Sequence, residues 1–97
     1  MSLTEPQCKH LRGRGHGLKA VVLVGSGGLT NRVLEEINST LERHELIKVR
    51  IRSGDREARD ALIREVVSGS AAELVQRIGN VALLYRAAEK PTIVLPP

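Results

Sequence analysis

The stretch VVLVGSGGLTNR, residues 21–32, sets three glycines within four positions between an apolar strand and a helix start. Gly25, Gly27 and Gly28 leave a loop with almost no side-chain bulk, in which Ser26 supplies the only hydroxyl. Such a loop lets a sugar-phosphate chain reach main-chain N–H groups at the positive end of a helix dipole. Lys9, Arg12, Arg14, Lys19 and Arg32 flank it in sequence, and Glu5 is the only acid before Glu35. The chemistry indicated is phosphate binding. No Lys-Ser/Thr pair follows the glycines, so a P-loop nucleotide site is unsupported. A dinucleotide fingerprint would need glycine at position 30, which is Thr30.

Other chemistries fare worse. No nucleophile stands beside an identifiable general base, so no enzyme and no cofactor is expected. His10, His16 and His44 are irregularly spaced and form no metal set. His10, beside Lys9 and Arg12, either contacts phosphate or is simply exposed. Cys8 is the only cysteine, which excludes a disulfide framework and a thiolate zinc cluster and leaves a small packable residue. Tyr85 is the only aromatic residue. A module that stacks bases on several aromatic side chains is therefore excluded, and any RNA would be held by phosphate contacts, backbone N–H groups and Arg planes.

The 97 residues, with a net charge of +4, suit one domain spanning 2–97. Charge is segregated. Lys9 to Arg32 are basic, Glu35 to Glu45 are acidic on balance, and Lys48, Arg50, Arg52 and Arg56 turn the chain basic again. Segregation of this kind favours an electropositive face. No apolar run approaches 18 residues and the N-terminus has no apolar signal-type core, so a soluble, cytoplasmic protein with no membrane partner is expected.

The elements that must position these groups follow from pattern. Thr4 and Gln7 form a capping box for a first helix, Glu5 to Arg12, which Gly13, Gly15 and Gly17 end in a flexible basic loop. Ala20–Val24 is a continuous apolar run, as in a strand buried on both faces. Thr30 caps a second helix with Val33, Leu34, Ile37 and Leu41 on one face. In Leu46–Arg52, Ile47, Val49 and Ile51 alternate with Lys48, Arg50 and Arg52. The three cations thus lie on the face opposite the core, where they either discourage edge pairing or extend the basic surface. The first reading is slightly favoured. Asp55 caps a third helix that Gly69 stops. Residues 72–78 are ambiguous, but Gly79-Asn80 before VALLYR favours a strand over Leu74–Ile78. The tail 88–97 is an edge segment or frayed. The order α-β-α-β-α-β-β predicts an α/β two-layer sandwich with a mixed sheet of about four strands.

KHLRGRGHGLK, VVLVGSGGLT, ELIKVRI and QRIGNVALLYR, in this order over nearly the whole chain, resemble the stand-alone bacterial members of the CRS1–YhbY (CRM) RNA-binding domain family. The resemblance implies a fold similar to the C-terminal domain of translation initiation factor 3 and a GxxG loop likened to that of KH domains. It also implies association with the large ribosomal subunit precursor, hence ribosomal RNA as partner. Here the loop joins a strand to a helix, unlike the helix-to-helix loop of KH domains. On this reading Gly25, Ser26, Gly27 and Gly28 seat the RNA backbone while Lys9, His10, Arg12, Arg14, Lys19 and Arg32 face its phosphates. The first helix and the loop are expected to form one continuous patch on a monomer that takes no small-molecule substrate. The alternative is a small basic adaptor for an acidic protein.

Overall fold

A computed structural model describes residues 2–25 and 27–97. Helix α1 (Glu5–Gly15) precedes β1 (Ala20–Val24), α2 (Asn31–His44), β2 (Leu46–Ile51), α3 (Arg56–Ser70), β3 (Glu73–Ile78) and β4 (Val81–Tyr85). The mixed sheet has the order β1-β2-β4-β3. β1 runs parallel to β2, and β4 is antiparallel to both β2 and β3. The element order, the four strands and the strand at 73–78 agree with the sequence pattern. A parallel pair needs a crossover, which α2 supplies.

Strand alternation divides the core. Val22, Val24, Ile47, Val49, Ile51, Ala82 and Leu84 face α2 and α3, meeting Ile37, Leu41, Ile63 and Val66. Leu46, Leu83 and Tyr85 point the other way and meet Leu11 of α1, with Val75. β3 bulges between Leu74 and Gln76, which turns Val75 toward α1. The sheet and the α2–α3 layer are the two layers, and α1 covers part of the remaining face.

Helix ends follow their caps, with two corrections. The Thr4 hydroxyl accepts from the Gln7 N–H at 3.3 Å, while the Gln7 side chain accepts from the Thr4 N–H at 2.9 Å. Yet α1 does not stop at Arg12; it continues through Gly13 and Arg14 to Gly15. Packing overrides the low helix propensity of glycine, because a Cβ on Gly15 would lie 2.6 Å from a Cδ of Leu83. Only a bare backbone lets α1 approach the sheet so closely. Gly15→Ala is expected to lower stability by about 1–3 kcal/mol in urea unfolding, since buried Leu83 has little room to shift. Likewise Gly69 does not stop α3, which runs to Ser70. There the absent side chain lets Leu34 of α2 pack within 3.2 Å of the Cβ position.

The tail after Tyr85 adds no strand. Glu45, buried at 1% exposure with φ +65 after α2, fastens it instead. Its carboxylate accepts from the N–H groups of Ala88 (2.8 Å), Thr92 (2.8 Å) and Ile93 (2.9 Å) and from the Thr92 hydroxyl (2.6 Å). Leu3, Ile93 and Leu95 then pack beside α1. Burial pushes the Glu45 carboxyl up, but these hydrogen bonds outweigh it and bring the pKa down from 4.5 to about 2. A lowered folded pKa adds stability above the unfolded value, and that stability is lost as pH falls toward 2. Glu45→Gln is expected to cost about 2–3 kcal/mol at neutral pH and to flatten the pH dependence of the melting temperature below pH 5.

Candidate nucleic-acid interface

The parallel pairing of β1 and β2 brings their C-terminal ends together. The Arg52 N–H donates to the Val24 carbonyl at 2.8 Å, and the Ile51 N–H donates to the Asn80 carbonyl at 2.7 Å. The loop after β1, the turn after β2 and the Gly79-Asn80 turn therefore share one end of the sheet. α2 and α3 both begin at this end, so both helix dipoles direct their positive ends toward it. The α2 start has no acid in its first turn and carries Arg32 there. The Thr30 hydroxyl accepts from the Val33 N–H at 3.2 Å and caps the helix as its sequence predicts.

Within the loop, the Gly28 N–H donates to the Gly25 carbonyl at 3.0 Å. Gly28 has φ +83, which accounts for glycine on backbone grounds. A Cβ at Gly25 or Gly27 would meet nothing within 4 Å. Packing thus does not require glycine at those two positions, and their surface is open to an approaching chain. Ser26 lies outside the described residues.

The candidate cations do not form the single patch expected. Arg32 stands at the loop. Lys19 precedes β1, six residues before Gly25 and about 20 Å away along an extended chain. α1 docks over Leu46, Val75, Leu83 and Tyr85, toward the sheet end opposite the loop. Lys9, His10 and Arg14 share a shallow depression with Pro6 and Pro96, while Arg14 and Lys19 line a second with His44. Arg12 donates to Glu5 at 3.0 Å and is half-buried. His10 is half-buried, with its Nε2 lacking a hydrogen-bond partner.

Besides Arg32, the cations nearest the loop are Arg52, just past the end of β2, and Arg50, in register with Leu23. β2 is an inner strand, so Lys48 and Arg50 have no edge to protect, and that reading of the alternation fails. With Arg52 they lead from the loop along the sheet face away from α2 and α3, and Lys19 lines the same groove. None of these four is ion-paired among the described residues, whereas Arg12, Arg77 and Arg86 pair with Glu5, Asp60 and Glu42. Alternation along Leu46–Arg52 alone does not show that this row leads to the loop. In a β1-α2-β2 crossover unit the two strands run parallel side by side, which sets the end of β1 and the glycine loop after Val24 beside Arg52. Among the described residues no group of three His, Cys, Asp or Glu could hold a metal ion, and no helix is long and apolar enough to cross a membrane.

Known proteins resemble this chain in sequence and in fold. A Pseudomonas aeruginosa protein named as a probable RNA-binding protein is 45% identical over 94% of this chain and 88% of its own length. A Haemophilus influenzae protein named as an RNA-binding protein is 42% identical, over 98% of this chain and 96% of its own. The solution structure of a Staphylococcus aureus protein, described as a candidate RNA binder, superposes with a TM-score of 0.83 at 31% identity. That likeness covers 98% of this chain and all of the other. Residues 3–86 match the family described as the CRS1 / YhbY (CRM) domain, and the chain belongs to that family.

Proposed function

We propose that this chain binds RNA without catalysis, and that its partner is ribosomal RNA in the precursor of the large ribosomal subunit during assembly. It acts in the cytoplasm, as a monomer, with the GxxG loop seating the RNA backbone. The observation that carries this reading is the emptiness around Gly25 and Gly27 beside the start of α2. A protein partner gains little from missing side chains, whereas a phosphate chain gains close approach to backbone N–H groups. The names of the relatives support RNA as the ligand.

Sedimenting a cell extract through a sucrose gradient tests the assignment. The protein is expected to travel with large-subunit precursors, and a position at the top of the gradient or on small subunits would count against it. Binding is also expected to weaken steeply with salt. Neutralising up to five phosphates with Arg32, Arg50, Arg52, Lys48 and Lys19 gives a log-log slope of at most about −3.5 on a single strand. A flat response would refute a phosphate-led interface.

A further inference from the structure

The pattern of Ala20–Val24 predicts a strand buried on both faces, but Val21 is 56% and Leu23 46% exposed. α1 stops short of this half of the sheet, and β1 lies at its edge. Across the same face Ile78 of β3 is 66% exposed. Between these apolar flanks run Lys48, Arg50 and Arg52, with Val81 and Leu83 beneath, in an open groove of about 670 Å³ that no acid lines. Three bulky aliphatic side chains exposed around unpaired cations call for an occupant that is both anionic and apolar.

We propose that this groove holds unpaired nucleotides of the bound RNA, running on from the phosphate seated at the glycine loop; the proposal rests on the RNA-binding reading above. Two observations select this occupant. The groove is continuous with the loop, because Arg52 lines it and is hydrogen-bonded to Val24, the last residue before Gly25. Its charge is wholly positive along the centre, as a phosphate chain requires, while its flanks suit the faces of bases. A duplex encloses its base faces and offers mainly phosphate and sugar outward, so it leaves Val21, Leu23 and Ile78 uncovered. A single strand covers them. Stacking on aliphatic walls and Arg planes tolerates any base, so the groove selects for strandedness rather than sequence.

Fluorescence anisotropy at one fixed salt concentration tests this with a labelled unstructured oligonucleotide, a blunt duplex of equal length and an acidic amphipathic peptide. The full chain is expected to bind the single strand at least about fivefold more tightly than the duplex. Leu23→Ser with Ile78→Ser alters two exposed side chains and no charge. It is expected to lose about five- to tenfold on the single strand, with duplex binding and the salt slope unchanged. Leu23→Ile with Ile78→Leu is expected to restore binding, and thermal melts of both pairs report on folding. Equal affinity for both RNA forms, or an unchanged folded Ser pair, would overturn the groove while leaving RNA binding intact. A loss confined to the peptide would assign the groove to an acidic protein instead. Failure to bind either RNA would defeat the RNA-binding reading itself.

Discussion

Arg50→Ala with Arg52→Ala is expected to weaken RNA binding by roughly 10–30-fold at 0.1 M salt, and Arg12→Ala with Arg14→Ala by much less. The magnitude follows from counterion release: each lost phosphate contact on a single strand removes about 0.7 from the log-log slope, so two contacts amount to roughly 25-fold between 0.1 M and 1 M. The ranking follows from geometry. Arg52 is bonded through its backbone to the residue that precedes the glycine loop, and Arg50 follows on the same face, with no acid paired to either. Arg12 is held by Glu5, and Arg14 lies with Lys9 and His10 on a helix docked toward the opposite end of the sheet. Filter binding of the two folded double variants at a single salt concentration decides. A larger loss from the α1 pair would mean that the RNA runs along the first helix and that the β2 row is only a solvated face.

Gly27→Asp is expected to reduce RNA affinity by about tenfold or more with the melting temperature nearly unchanged. A Cβ at this position meets nothing within 4 Å beyond its chain neighbours, so the added bulk and negative charge fall where a phosphate would come. Gly28→Asp is the less discriminating variant. Its φ of +83 strains any L side chain, and its Cβ would lie 3.7 Å from Leu62, so lost binding there mixes with lost stability. Gly27→Ala adds bulk without charge and is expected to fall between wild type and Gly27→Asp. Unchanged affinity in folded Gly27→Asp would remove the loop from the interface.

What the sequence by itself determined is local. The Thr4 box, the Thr30 and Asp55 caps, the alternation in Leu46–Ile51 and the turn at Gly79-Asn80 each depend on neighbours a few residues apart, and all appear in the structure. The glycine loop was legible for the same reason, since a strand, a break and a capped helix lie within twelve residues. What only the tertiary structure decided depends on partners far apart in the chain. Gly13 and Gly15 read as a helix end until Leu83, nearly seventy positions on, supplies the surface against which a bare helix packs. Ala20–Val24 reads as fully buried because composition cannot say how far α1 reaches across the sheet. Lys48, Arg50 and Arg52 read as edge protection until the β1-β2-β4-β3 order makes β2 an inner strand, and its parallel pairing with β1 makes the row lead up to the loop. Periodicity reports which face a side chain takes. Which strand lies next to it is decided by pairing across the whole chain, where hydrogen bonds and burial are summed over every strand at once.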